Sequence, residues 1–102
     1  MQERTIVGVG AALLVGVTCC RFDVTSESGA PVSRIVVVRR GDDGREHATE
    51  VGLDADGRGL AWLQGEVGVL RIAADGHRSP TVAAWAQPAA DCKHFRAVLA
   101  VR

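Results

Sequence analysis

The sequence predicts one all-β domain of seven short strands, packed as a sandwich behind an N-terminal export segment. A chain of 102 residues allows a single domain. Beyond Cys20 it consists of β-rich runs that recur about every 8–12 residues, which is typical of a sandwich. Glycine, proline and aspartate separate the runs, and none has the 3.6-residue period of a helix.

The runs follow one another with a turn signal at each junction. They cover residues 20–26, 33–40, 46–53, 58–63, 67–74, 81–86 and 93–101. Steps such as Asp56-Gly57 and Asp75-Gly76 favour the positive φ that tight turns require. We therefore expect short connections between most strands.

Alternation within the runs predicts which side chains face the core. The last run is the clearest, with Phe95, Ala97, Leu99 and Val101 on one face and Arg96 and Arg102 on the other. In the first run Cys20, Phe22 and Val24 share an apolar face. We also expect Trp62 and Trp85 to be core aromatics.

The N-terminus has the pattern of an export signal. No charged residue occurs between Thr5 and Cys20, and residues 6–17 are apolar or small after Arg4. This run is short for a membrane span, which needs about 20 apolar residues. It is also longer than a usual buried strand, the alternative interpretation. We predict a signal at residues 1–19 and a mature domain at residues 20–102.

The three cysteines Cys19, Cys20 and Cys92 leave one over after a single disulfide. The end of the apolar run resembles the lipobox of bacterial lipoproteins, in which a cysteine is lipidated. We predict lipidation of Cys19 and a Cys20–Cys92 disulfide, because alternation turns Cys20 inward. The alternatives are Cys20 as the lipidated residue, Cys92 as a buried free thiol, and ordinary secretion. The predicted location is the periplasm or outer membrane, or outside the cell.

The mature part resembles the carboxypeptidase regulatory-like domains, which are small transthyretin-like (prealbumin-like) Greek-key sandwiches. Three segments carry the resemblance, namely residues 22–32, residues 53–59 and residues 70–77. Leu53 and His77 depart from the family pattern, which has Thr and an aromatic residue there. The resemblance implies a seven-stranded sandwich and a mostly non-catalytic module, and it transfers no catalytic residue to this chain.

The composition excludes several functions. Lys+Arg and Asp+Glu are both 12, so the net charge is zero, which argues against a nucleic-acid binder and against a polybasic membrane surface. The Asp54–Gly57 segment lacks the downstream ligands of a calcium loop and predicts a hairpin turn. His47, His77 and His94 are far apart in sequence, so no metal ligand is assigned.

From these observations we predict a non-enzymatic exported protein with a binding or structural role, and no catalytic residue, metal or cofactor. The expected partner is an envelope protein or a glycan, with no nucleic acid and with membrane contact through the lipid anchor only. One alternative is an accessory or inhibitor subunit of a secreted enzyme. Another is a small metal-dependent hydrolase that uses loop His and Asp residues.

Overall fold

The computed structural model describes residues 16–85 and 92–102, which form two β-sheets. The strands are β1 (Val17–Ser26), β2 (Arg34–Arg40), β3 (Glu46–Gly52), β4 (Arg58–Gln64), β5 (Val69–Ala73), β6 (Thr81–Ala83) and β7 (Lys93–Leu99). One sheet has the order β4-β1-β7 and the other β3-β2-β5-β6. The predicted all-β architecture of seven strands is confirmed. These residues include no helix that is long and apolar enough to cross a membrane.

A single hydrophobic core lies between the two sheets. The three-stranded sheet contributes Phe22 and Phe95, whose rings stack with centroids 5.6 Å apart. The other sheet contributes Ile35, Leu70 and Ile72, all of them fully buried. Alternation explains this arrangement, because every second residue of each strand points to the same side. The predicted inward faces of the first run and of Phe95, Ala97 and Leu99 are confirmed, while Val101 lies past the end of β7 and is exposed.

Strand β1 is the central strand of its sheet and pairs with both neighbours. It runs antiparallel to β4 and parallel to β7. The strand begins at Val17, and the amide of Gly65 donates a hydrogen bond to the carbonyl of Gly16. The predicted signal segment therefore overlaps the sheet at residues 17–19. Residues 1–15 of that segment lie outside the described part of the chain.

The prediction that Trp62 and Trp85 are core aromatics was wrong. On β4 the residues turned inward are Ala61 and Leu63, so Trp62 points outward and is 61% exposed. Trp85 follows β6, makes a single bridge to β7 and is 47% exposed. Small and aliphatic side chains therefore occupy the inner side of β4.

The Asp54–Gly57 turn forms as predicted, but it is not a hairpin. It joins β3 to β4, and those strands belong to different sheets. The Asp54 carboxylate accepts hydrogen bonds from the amides of Asp56 and Arg58, each 2.9 Å long. The amide of Val24 donates to the carbonyl of Gly57 over 2.8 Å. This turn therefore fixes the crossing between the sheets against the central strand β1.

Gly57 and Gly44 provide a matched test of that contact. Both have a φ of 79°, where an L side chain is strained. A Cβ at Gly57 would overlap the carbonyl oxygen of Val24, whereas a Cβ at Gly44 would meet nothing within 4 Å. We expect Gly44→Ala to lower the free energy of unfolding by about 1 kcal/mol. Gly57→Ala should lower it by about 3 kcal/mol or more, since it adds a clash with backbone. Urea denaturation measures both, and equal losses would contradict the proposed contact.

Candidate functional site

We define the outer face as the side of the three-stranded sheet that points away from the core. Its register brings together residues from four segments of the chain. They are Arg58, Leu60 and Trp62 of β4, Cys19, Arg21 and Asp23 of β1, His94, Arg96 and Val98 of β7, and Cys92 and Trp85 beside β7. Leu60, Trp62, Val98 and Trp85 are all exposed. Such a concentration of exposed apolar side chains makes the outer face a candidate interaction surface.

A disulfide crosses the outer face between Cys19 and Cys92, with an S–S distance of 1.99 Å and Cα atoms 4.7 Å apart. The predicted Cys20–Cys92 pairing was therefore wrong. The parallel register opposes Cys20 to Lys93, which places Cys19 directly beside Cys92. Alternation had identified the inward residue correctly, but the bond forms between the two outward residues.

The remaining cysteine, Cys20, is a free thiol that is fully buried in the core. Burial raises the pKa of this thiol, and the positive charges of Arg39 and Lys93 only partly oppose that effect. The thiol therefore stays protonated and behaves as a small apolar side chain. The predicted lipid on Cys19 and the observed disulfide exclude each other, because one sulfur atom cannot form both bonds.

A compact cluster surrounds Trp85 at the β7 edge of the outer face. The amide of Trp85 donates to the carbonyl of His94 over 2.5 Å, and the two rings lie 5.8 Å apart. The guanidinium carbon of Arg96 lies 4.4 Å from the centroid of the Trp85 ring. This cation–π contact holds the arginine head over the indole. The cluster thus presents a positioned positive charge next to an exposed aromatic edge.

At the opposite edge, Trp62 is the cross-strand neighbour of Cys19, and Leu60 is the neighbour of Arg21. Asp23 lies between Arg58 on β4 and Arg96 on β7. The strands of the outer face therefore carry three arginines against one aspartate. Its character is aromatic and positively charged, although the whole chain has no net charge.

A second polar feature lies at the end of the other sheet, where an open cleft of about 690 Å³ is lined by the loop after β5 and the start of β2. His77 lines this cleft, and its Nε2 lies 2.8 Å from the Oγ of Ser26, which is buried behind it and does not line the cleft. Nδ1 of His77 lies 2.7 Å from the carbonyl oxygen of Asp75 and must donate to it, since a carbonyl cannot donate. When the ring carries its single proton on Nδ1, Nε2 accepts a hydrogen bond from the Ser26 hydroxyl. The hydroxyl of Ser28 lies 2.9 Å from Ser26 Oγ.

The three histidines do not come together. His77 contacts Ser26, His94 contacts Trp85, and His47 lies 3.2 Å from the carboxylate of Asp43 in the turn between β2 and β3. The pKa of Asp43 is lowered, chiefly by a hydrogen bond from the Arg45 amide and then by His47. Residues 16–85 and 92–102 contain no group of three or more His, Cys, Asp or Glu side chains that could hold a metal ion.

Sequence reasoning missed the outer face as a site. The signal was present in residues 58–64, where strict alternation forces either Trp62 or its neighbour Leu63 outward. Choosing between them required the pairing of β4 with β1, which places Gly59, Ala61 and Leu63 on the side of Phe22. The Ser26–His77 contact joins positions 51 residues apart, and no local pattern predicts it.

No family model, curated protein or solved structure matches this chain.

The disulfide assignment can be tested through the vicinal cysteines. We expect Cys20→Ala to leave the protein oxidised, with an intact mass two hydrogens below that of its reduced form. Cys19→Ala should abolish that mass difference and lower the free energy of unfolding by about 4 kcal/mol, because a long loop loses its cross-link. Mass spectrometry without reduction and urea denaturation measure the two effects. Loss of the disulfide in Cys20→Ala, with retention in Cys19→Ala, would contradict the assignment.

Proposed function

We propose that this protein is an exported, non-enzymatic β-sandwich whose outer face binds a component of the cell envelope. The observation that carries the proposal is the pair of exposed tryptophans, Trp62 and Trp85, on a sheet face that also presents arginines. Exposed aromatic and arginine side chains are the residues that contribute most to binding surfaces. A rigid sheet loses little conformational entropy when it binds, which favours affinity.

The strand order supports a Greek-key sandwich of the carboxypeptidase regulatory-like kind. The chain forms the β2-β3 hairpin, crosses to β4 beside β1, and returns to β5 beside β2. Such crossings between sheets are a property of Greek-key connections. The family assignment is part of the proposal, because it depends on this strand order and on the three sequence segments described above.

The Cys19–Cys92 bond supports export, since stable disulfides form in oxidising compartments and are rare in the cytosol. Strand β1 includes Val17, and the Thr18 hydroxyl donates to the carbonyl of Gly65. A signal peptide that leaves this sheet intact must be cut before Val17. We therefore propose a secreted or periplasmic protein that keeps its disulfide, with no lipid on Cys19.

Binding to the envelope can be tested by sedimentation of the purified oxidised protein with washed envelopes of the source cells. We expect the protein to sediment with the envelopes, and Trp62→Ala and Trp85→Ala each to weaken binding roughly tenfold, the loss of one aromatic contact. Val69→Ala is the matched control, because Val69 is 59% exposed on the other sheet. If all three substitutions weakened envelope binding equally, or if none of them weakened it, the role of the outer face would be contradicted.

A second candidate function is supported by the Ser26–His77 pair. A serine hydroxyl that donates to a histidine whose other nitrogen is held by an acceptor has the geometry of an activated nucleophile. In this candidate Ser26 Oγ would attack an ester carbonyl while His77 takes its proton. The proton then passes to the leaving alcohol, and water later cleaves the acyl–serine bond. The 7% exposure of Ser26 favours a structural role instead, as a buried link between β1 and the loop after β5.

The two roles of Ser26 differ in reactivity. If Ser26 is a nucleophile, a fluorophosphonate probe should label the protein once, at Ser26, and His77→Gln should slow the labelling by roughly a hundredfold or more. If the pair is structural, the probe should not react, and Ser26→Ala should only lower the stability by about 1–2 kcal/mol. Ser33→Ala is the control, because Ser33 lines the cleft beside His77 but is not its hydrogen-bond partner. Peptide mapping identifies the labelled residue.

A further inference from the structure

We infer that the outer face binds an extended chain of an acidic polysaccharide, with its carboxylates against the arginines and its sugar rings against the tryptophans. This inference depends on the proposed binding function and names its partner class. Four features carry it: the charge of the outer face, the position of its aromatic rings, the distance between those rings, and the like-charge repulsion that would arise between two outer faces.

The charge of the outer face selects an anion. Arg21, Arg58 and Arg96 lie on adjacent strands, and Asp23 between the latter two is the one acidic residue among them. An arginine head can donate two parallel hydrogen bonds to a carboxylate. A neutral sugar has no carboxylate to accept them. Contact with Trp85 holds the Arg96 guanidinium in place before any ligand arrives. The arginine therefore loses little side-chain entropy when an anion binds.

The aromatic rings select a ligand that is not a simple ion. Trp62 is 61% exposed at the β4 edge, and Trp85 is 47% exposed beyond β7. Indole rings have broad apolar surfaces and favour contact with the flat C–H faces of sugars, as they do with other partly apolar groups. An inorganic anion would use the arginines and leave both rings in water. A sugar chain with carboxylates uses both kinds of residue.

The shape of the outer face indicates an extended ligand. The two tryptophans are three inter-strand spacings apart across the sheet, roughly 14 Å, and two residues apart along the strands, roughly 7 Å. The Cys19–Cys92 bond lies on the path between them and joins β1 to β7 covalently. A single sugar cannot span that separation, whereas several linked units can. The cross-linked sheet, with a tryptophan at either side, suits a chain that lies across its strands.

Charge also argues against a second copy of the protein as the occupant. If two outer faces met, the arginines of one copy would oppose those of the other, with one aspartate on each side to compensate. Like charges brought together in an interface oppose association. Apart from Asp23, the acidic residues of the described chain lie off the strands of the outer face, in turns and loops and on β3: Glu27, Asp42, Asp43, Glu46, Glu50, Asp54, Asp56, Glu66 and Asp75.

The test uses the full oxidised chain and two forms of one polymer. We expect polygalacturonate to bind, as measured by calorimetry, and its fully methyl-esterified form to bind at least roughly tenfold more weakly, because esterification removes the charge. Trp62→Ala, Trp85→Ala and Arg96→Gln should each weaken polygalacturonate binding roughly tenfold. Arg45→Gln and Val69→Ala are the controls, since both residues are exposed away from the outer face.

The outcomes separate this inference from the proposed function. Loss of envelope binding in Trp62→Ala, with no polygalacturonate binding by the unmodified protein, would overturn the acidic polysaccharide and leave the binding function standing. Failure to bind envelopes and polygalacturonate would overturn both. Equal binding to duplex DNA, anionic lipid vesicles and polygalacturonate, with no effect of Trp62→Ala, would show attraction by charge alone and would also overturn the inference. Self-association through the outer face, seen by sedimentation, would assign the surface to a second copy and overturn it as well.

Discussion

The parallel pairing of β1 with β7 is the constraint on which the rest of the structure depends. It opposes Phe22 to Phe95 on the inner side, where the two rings stack at the centre of the core. Three residues earlier on both strands, and so on the opposite side of the sheet, the same register brings Cys19 beside Cys92. Because side chains alternate across a strand, a shift by one residue would exchange the two sides together. The hydrophobic core and the disulfide therefore select the same register.

The strands themselves could be predicted closely from the sequence. Apolar alternation and turn residues locate all seven within a few residues of their observed ends, because both signals are local. The Asp54–Gly57 turn illustrates where local signals stop being sufficient. Its aspartate and glycine predict a tight turn correctly, yet they do not reveal that the flanking strands lie in different sheets. Hairpins and crossings use similar turn residues, and only the pairing of β4 with β1 distinguishes them.

The candidate site was harder to predict, because it too depends on which strands pair and in which register. Alternation shows that Cys19 and Cys20 face opposite sides, but the partner of Cys92 depends on register across more than 70 residues. A disulfide can also form on either side of a sheet, because the covalent S–S bond does not require burial. The orientation of Trp62 is also undecided by the local sequence. A large aromatic residue is buried on average, but Leu63 is its neighbour and only one of the two can face inward. Here the inner side of β4 lies against Phe22, and the small residues Gly59 and Ala61 occupy it.

The zero net charge of the chain conceals a positively charged surface on the outer face. The sum over the chain is zero, and this argued against partners that require a positive field. However, a sum does not describe how charges are distributed, and the fold separates them. Arg21, Arg58 and Arg96 are collected on one sheet because they occupy outward positions of three adjacent strands. Fields from such a surface act over about one Debye length, roughly 8–10 Å in physiological salt, which is comparable to two strand spacings. A ligand on the outer face therefore experiences these arginines more strongly than the acidic residues of β3 and of the turn after β2, which keep the protein neutral. Asp54 is the exception, because its carboxylate lies beside the backbone of Arg58 and reduces the attraction there.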